Sequence, residues 1–167
     1  KSALNVLRVS GPSSLSFFQK LSLTQKQPKP NFSSLCPIYS YKTKQILDQA
    51  IMVFYKSPKS YTGEHMLEIS IHGGSFLANK VLNELLVLGA RLARPGEFSY
   101  RAFINNKIDL VQAEAVSALV AANNNLDSYY NLNNILGSFS KNIKQMRKNL
   151  LTIILDSEHL LDFDEEE

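Results

Sequence analysis

The first candidate for chemistry is a carboxylate inside a run that otherwise predicts a β-strand. Residues 65–71 alternate, with aliphatic side chains at positions 67, 69 and 71 on one face and Glu68 in the middle of the other. A glutamate is rarely buried without a partner. Taken alone, the alternation favours a Glu68 that faces solvent on a sheet covered on one side only.

Two cations are further candidates. Arg8 interrupts an alternating apolar run over residues 3–10, which predicts a strand, and it falls on the opposite face from Leu7 and Val9. Its aliphatic stem can pack on the strand while its guanidinium reaches either water or an anionic group. Lys107, in the sequence I-N-N-K-I-D-L, is by itself an ordinary loop lysine.

A secondary candidate site is the turn His72-Gly73-Gly74, where the strand ends and a helix is predicted to begin. Free backbone N–H groups at such a turn could receive an anion or a carbonyl oxygen. The alternative is a tight turn with a packed histidine. The three histidines and the single Cys36 do not have the spacing of metal ligands, so the sequence predicts no metal site.

The sequence lacks the G-x-x-x-x-G-K-[ST] pattern of phosphate-binding loops. Residues 106–109 match the N-K-x-D pattern by which GTPases read guanine, but a four-residue match with one free position is unspecific. Asp109 is better explained as a helix cap, because Gln112 follows three residues later as its reciprocal partner. We therefore assign no guanine-reading role to this string.

The elements that would position these residues alternate between strands and helices. The predicted strands cover residues 3–10, 46–55, 65–71 and 90–93. The predicted helices cover residues 13–21, 75–88, 97–104 and 110–122. This order predicts an α+β or α/β fold in which a mixed β-sheet packs against helices.

Three asparagines at residues 123–125 predict a boundary between a first domain, residues 1–122, and the truncated start of a helical domain, residues 123–167. Beyond it we expect a long helix over about residues 128–161. Apolar residues there follow steps of four and three, a heptad seam that needs a partner helix from missing sequence or from a second copy. The seam consists of Leu132, Leu136, Phe139, Ile143, Met146, Leu150 and Ile153.

Composition indicates a soluble protein with one sizeable core, since 44% of the residues are hydrophobic and no run is long enough to span a membrane. The net charge is +3, but five acids lie in the last six residues, so residues 1–161 carry +8. A basic surface favours polyanions such as nucleic acids or polyanionic small molecules. The alternative is a solvated, lysine-rich surface.

Two blocks carry a family resemblance: Y-T-G-E-H-M-L-E-I-S-I-H-G-G at residues 61–74 and R-P-G-E-F-S-Y-R-A-F-I-N-N-K-I-D-L-V-Q-A-E-A-V at residues 94–116. With L-R-V-S-G-P at residues 7–12 and the closing L-D-F-D-E-E-E, they resemble the amino-terminal region of the tRNA modification GTPases MnmE, also called TrmE. In that family a folate-binding domain precedes a helical domain into which the GTPase is inserted. The chain therefore resembles a fragment truncated at both ends.

The resemblance implies a fold similar to folate-binding aminomethyltransferases and a site for 5-formyl-tetrahydrofolate or a related folate. It implies that Glu68 binds the pterin ring and that Arg8 and Lys107 contact the same folate. It reverses the preference for a merely solvent-facing Glu68, because a carboxylate can accept two parallel hydrogen bonds from the pterin.

The parent protein, by the same resemblance, is a GTP hydrolase that uses GTP, Mg²⁺ and K⁺ in a domain absent from this chain. It dimerises through residues 1–122 and acts with an FAD-containing MnmG partner on the wobble uridine of tRNA. The expected compartment is the cytoplasm, with a mitochondrion or plastid as the alternative. The fragment itself is expected to bind rather than catalyse.

Three alternatives stay open at the level of the residues. The chain could be a stand-alone folate-dependent one-carbon transferase, although no acid or base constellation accompanies Glu68. It could be a tRNA-binding module that uses its basic surface and aromatic stacking. It could also be a structural scaffold built on the heptad seam.

Overall fold

The computed structural model describes residues 2–164, and it describes side chains through residue 161. The acidic ending D-F-D-E-E-E, which contributed to the family resemblance, lies outside the described side chains. The chain divides into two compact units, Lys1–Ile108 (unit 1) and Asp109–Glu167 (unit 2).

Unit 1 is built on one four-stranded sheet in the order β1-β4-β3-β2. The strands are β1 (Leu4–Ser10), β2 (Ser33–Tyr39), β3 (Ile46–Tyr55) and β4 (Met66–His72). Its helices are α1 (Ser14–Ser22), α2 (Ser75–Val87) and α3 (Glu97–Ile104). All three strand pairings of the described sheet are antiparallel, and the predicted α+β class is confirmed.

The core of unit 1 lies on one face of this sheet. The aliphatic face predicted for β4 is confirmed, because Leu67 and Ile69 are fully buried and Ile71 is 1% exposed. Helices α1 and α2 cover this face and contribute Phe17, Phe18, Leu21, Val81 and Leu85 to the core. The opposite face of the sheet leaves apolar side chains exposed: Leu4, Val6, Leu35 and Ile51.

Two predictions within unit 1 fail. Residues 90–93 form no strand, because a strand needs a hydrogen-bonded neighbour and no described strand pairs with them. Strand β2 was not predicted. It contains Pro37, which cannot donate to a ladder, and the structure tolerates it because β2 is an edge strand.

The described part of unit 2 contains three helices, α4 (Leu110–Ala121), α5 (Asn125–Ile135) and α6 (Ser138–Asp164). The predicted cap of α4 is confirmed: the Asp109 carboxylate accepts from the Gln112 N–H at 3.0 Å, and the Gln112 side chain accepts from the Asp109 N–H at 2.9 Å. Helix α4 packs against α5, and the Gln112 amide donates to the Ile135 carbonyl at 2.8 Å. The boundary predicted after residue 122 had assigned α4 to the first domain.

The single long helix predicted over residues 128–161 is wrong. The chain breaks between α5 and α6 at Gly137, whose φ of 82° lies in the left-handed region that glycine adopts without steric cost. The predicted seam therefore crosses a helix break. All seven of its residues are exposed, from Leu132 at 47% to Leu136 at 74%.

We predict that Leu67→Ala lowers the free energy of unfolding by about 2–5 kcal/mol, because it removes a fully buried side chain and leaves a cavity. Urea unfolding monitored by circular dichroism measures the change. Leu35→Ala is the matched control, since Leu35 lies in the same sheet but is 66% exposed. Equal losses in the two variants would contradict the assignment of the core to one face.

Candidate functional site

The predicted residues Arg8 and Glu68 lie opposite each other on neighbouring strands. In the β1–β4 register Arg8 pairs with Glu68. The Arg8 Nε donates to Glu68 Oε1 at 3.0 Å, and a second guanidinium nitrogen lies 3.0 Å from the same oxygen. The pair sits on the sheet face that α1 and α2 leave uncovered, with the Arg8 side chain 56% exposed and the Glu68 side chain 20% exposed.

A third residue, Tyr55, completes this group. Its hydroxyl donates to Glu68 Oε2 at 3.1 Å, so the two carboxylate oxygens have different partners. Partial burial, followed by the hydrogen bond and charge of the neighbouring Glu68, raises the pKa of Tyr55. Sequence reasoning missed Tyr55, because its diagonal position relative to Glu68 appears only once the β3–β4 register is known.

His72, at the end of the same face, is held by Asp48 of β3. The Asp48 carboxylate accepts from the His72 backbone N–H at 2.9 Å and lies 2.7 Å from His72 Nδ1. Burial by itself would raise the pKa of Asp48, but the hydrogen bonds from His72 outweigh it, and the net pKa lies below its ordinary value. Asp48 was not among the predicted site residues.

The turn at Gly73 and Gly74 is shaped by close backbone approach. The Gly73 N–H donates to the Ala3 carbonyl at 2.8 Å, and a Cβ on Gly73 would lie 1.8 Å from the Ser2 carbonyl oxygen. The Gly74 carbonyl accepts from the Asn5 side chain at 3.0 Å. Since protein groups already bind the N–H groups of His72 and Gly73, this turn is a weaker candidate for receiving a ligand anion than the Arg8–Glu68 pair.

Lys107 does not contact the Arg8–Glu68 pair. Its ammonium donates to the Pro58 carbonyl at 3.1 Å, and among the described residues it makes no hydrogen bond to Arg8 or Glu68. Lys107 thereby holds the loop of residues 56–65, which joins β3 to β4. The structure brings Arg8 and Glu68 together directly, and it connects Lys107 to the loop that precedes Glu68.

The same loop is tied to α3 by charged and polar contacts. Arg101 of α3 donates to Glu64 at 2.8 Å and to Glu97 at 2.7 Å, and Arg91 also binds Glu97. The hydrogen bonds from Arg91 and Arg101 and from the Arg94 backbone hold the pKa of Glu97 far below its usual range. A further contact is the Asn105 side chain donating to the Thr62 carbonyl at 2.8 Å. The sequence block at residues 61–74 is therefore in contact with the part of the second block that lies in unit 1, residues 94–108.

A cavity of unit 1, about 580 Å³, lies beside β1 and is lined by residues of β1, α1 and α2, by residues 89–93, and by Glu97, Phe98 and Arg101 of α3. Arg8 contributes to its lining, but Glu68 and Lys107 do not. The Arg8–Glu68 pair is therefore not enclosed by this cavity, whose charged lining residues are Arg8 and the cluster of Arg91, Glu97 and Arg101. In the described part of the chain, no group of three or more His, Cys, Asp or Glu residues could hold a metal ion. No described helix is long and apolar enough to cross a membrane.

Comparison with known proteins adds a family assignment to this geometry. A family model described as the GTP-binding protein TrmE N-terminus matches residues 1–107. The chain belongs to this family. The TrmE match ends one residue before the end of unit 1, so it coincides with the compact unit that holds Arg8, Glu68 and Lys107.

Two relatives show how similar this chain is to known proteins in sequence and in length. A tRNA modification GTPase MnmE of Francisella tularensis subsp. novicida is 39% identical over 164 residues, or 98% of this chain. A protein of the same name from Francisella philomiragia is 40% identical over an equal length. The chain spans 36% of the length of each of these relatives.

We predict that Asp48→Asn destabilises the fold at pH 7 and reduces the loss of stability in acid. Because the pKa of Asp48 is lower in the folded state, its contribution is present above the ordinary carboxyl pKa, about 4, and is lost as pH falls through the lower, folded value. Thermal unfolding between about pH 2 and pH 7 measures this dependence. Parallel curves for Asp48→Asn and wild type would contradict it. Asp156→Asn is the matched control, since Asp156 is exposed.

Proposed function

We propose that this chain is the folate-binding part of a tRNA-modifying GTPase and that Glu68, Arg8 and Lys107 hold 5-formyl-tetrahydrofolate or a related tetrahydrofolate. The observation that carries the proposal is the Arg8–Glu68 pair, which lies in register on the uncovered face of the sheet in a chain of the TrmE family. A salt bridge on a sheet surface contributes little to stability, so stability alone is a weak reason for this pair.

The geometry suggests how the site would exchange partners when a ligand arrives. Tyr55 orients Glu68 through Oε2, while Arg8 occupies Oε1. A pterin offers a ring N–H beside an exocyclic amine, and a carboxylate accepts such a pair in parallel. In this proposal the pterin takes the place of Arg8 on Glu68, and the freed guanidinium binds a carboxylate of the folate tail.

Lys107 would act from the rim of the same site. Its ammonium now binds the Pro58 carbonyl, a neutral acceptor that an anionic group can replace. The loop of residues 56–65 would keep its shape during this exchange, because Arg101 and Asn105 hold it through Glu64 and Thr62. We therefore assign binding to Lys107 and positioning of the loop to α3 and the residues that follow it.

The one-carbon chemistry belongs to the folate cofactor, which the protein binds and orients. We also propose that the parent protein hydrolyses GTP with Mg²⁺ and K⁺. It would act with the MnmG partner on the wobble uridine of tRNA. These activities involve sequence beyond this chain, which spans 36% of its relatives. The relatives' name, tRNA modification GTPase MnmE, supports tRNA as the substrate class.

We predict that Glu68→Gln weakens binding of 5-formyl-tetrahydrofolate by about 10- to 150-fold, because it removes a charged hydrogen-bond acceptor worth about 1.5–3 kcal/mol. Arg8→Gln should weaken binding to a similar extent. Isothermal titration calorimetry with the 167-residue chain measures both. Glu114→Gln is the matched control, since Glu114 is exposed and lies in unit 2.

The outcomes of this titration separate the alternatives. Absence of binding by a folded wild-type chain, or equal affinities for wild type and Glu68→Gln, would refute the proposed site. Turnover of the folate by the chain alone would instead favour a stand-alone one-carbon transferase. Circular dichroism of each variant distinguishes loss of the site from loss of the fold.

We further propose that two copies of the chain associate through residues 1–122, and that they use the uncovered sheet face. This face presents Val6, Leu35 and Ile51 at 54%, 66% and 47% exposure, and cross-strand pairing aligns them in one row with Ser70. Apolar side chains aligned on a sheet surface favour burial against a partner. Because Arg8 and Glu68 share this face, ligand binding and association would affect each other.

We predict that Ile51→Glu raises the dissociation constant of the dimer at least tenfold, because a buried, unpaired carboxylate opposes association. Sedimentation equilibrium over a range of concentrations measures it. Phe76→Glu introduces the same charge at an apolar residue of α2 that is 81% exposed, and it should leave association unchanged. A wild-type chain that stays monomeric at high micromolar concentration would overturn the proposed interface.

A further inference from the structure

The first half of α6 carries four cations and no acid. Lys141, Lys144, Arg147 and Lys148 lie between residues 138 and 155, and the acids of this helix begin at Asp156. Lys141, Lys144 and Lys148 are exposed, and none of the ion pairs of the described side chains includes them. Their charges are thus available to a partner.

The three lysines lie on one face of the helix. Their spacing of three and four residues places side chains in a row, because an α-helix completes a turn in about 3.6 residues. Phe139, Ile143, Met146 and Leu150 of the heptad seam fall on the opposite face by the same geometry. A helix that buries its seam against a partner would therefore still present the lysine row outward.

The lysine row borders a depression of about 450 Å³ within unit 2. Its other lining residues include Ser140, Gln145 and Asp109. Asp109 is engaged locally: the Ser140 side chain, the hydrogen bond from the Gln112 backbone and the positive charge of Lys144 hold the pKa of its carboxyl below its usual range. The depression thus combines three ammonium groups that form no ion pair within salt-bridge distance with neutral hydrogen-bonding side chains, and its one acid, which attracts Lys144, already caps a helix.

We propose that Lys141, Lys144 and Lys148 form a binding surface for the phosphate backbone of RNA. Lysines in a row neutralise successive phosphates, and the polar side chains between them can bond to phosphate or sugar oxygens. The partner class rests on the proposed function, in which tRNA is the substrate. The surface itself lies in unit 2, outside the residues proposed for folate and outside the TrmE match.

An anionic membrane fits this helix less well. An amphipathic helix on a bilayer buries its apolar face, and its cations lie near the headgroups at the edges of that face. Here the lysine row is opposite the seam, so membrane insertion of the seam would turn the lysines toward water. A concave surface between two helices also matches the ridge of a phosphodiester chain better than a flat bilayer.

The test uses an in vitro transcribed tRNA and the 167-residue chain in which Lys141, Lys144 and Lys148 are replaced by Gln together. We expect at least about tenfold weaker binding at 50 mM salt, and a salt dependence of log K that is less steep by about 2–3, because each lost phosphate contact removes about 0.7–0.9 of slope. Fluorescence anisotropy from 50 to 200 mM salt measures both quantities.

The matched control replaces Lys26, Lys42 and Lys80 by Gln, since these are exposed lysines of unit 1 and the change of charge is the same. It should weaken tRNA binding less than twofold. Equal losses in the two triple variants would show diffuse attraction and overturn the proposal. Binding to vesicles of anionic phospholipid with no binding to tRNA would overturn it in favour of a membrane surface.

The folate titration, repeated on the α6 triple variant, separates this inference from the proposed function. We expect unchanged folate affinity, because no substituted residue lies in unit 1. Normal folate binding together with unchanged tRNA binding refutes the RNA surface alone. Loss of folate binding in the wild type as well would instead refute the proposed function.

Discussion

The register of β4 between β1 and β3 is the constraint on which the rest of unit 1 depends. The side chains on its inner face, Leu67, Ile69 and Ile71, are almost completely buried. A shift of the register by one residue would move them out of the core and put Glu68 and its neighbours in their place. That exchange would bury a carboxylate and expose aliphatic side chains. The hydrophobic term therefore holds Glu68 on the uncovered face, opposite Arg8.

Polar contacts then fix details that burial leaves undetermined. Glu68 divides its two oxygens between Arg8 and Tyr55, and Asp48 binds both the backbone and the ring of His72. The loop before β4 is held from outside the sheet, by Arg101 on Glu64. These contacts are individually modest, but together they position the charged groups on a surface where packing is sparse.

The two units differ in how complete they are. Unit 1 has a closed core between the sheet and two helices, whereas all seven residues of the heptad seam in unit 2 are exposed. An apolar row of this length in water favours association with another helix. The chain spans 36% of the length of its relatives.

Local signals in the sequence determined several features of this protein. The alternation of residues 65–71 predicted both a strand and its buried face, and Asp109 with Gln112 predicted the start of α4, because each signal involves neighbours within four residues. Among the misassigned elements, only the predicted long helix contained a local warning, namely Gly137, and there the heptad pattern outweighed the glycine. The family resemblance, carried by short motifs, was confirmed by the match over residues 1–107.

Tertiary structure alone decided what those residues contact. Arg8 and Glu68 are 60 positions apart, Glu64 and Arg101 are 37 apart, and no pattern along the chain indicates that either pair meets. Strand β2 and the irregular segment 90–93 also show that a strand forms only beside another strand. Residues 33–39 form a strand because β3 lies beside them. Residues 90–93 do not form a strand, since no described strand lies beside them. The sequence thus determined periodicity and caps, while pairing across the sheet determined the partners, since hydrogen bonding between strands is a property of neighbours in space.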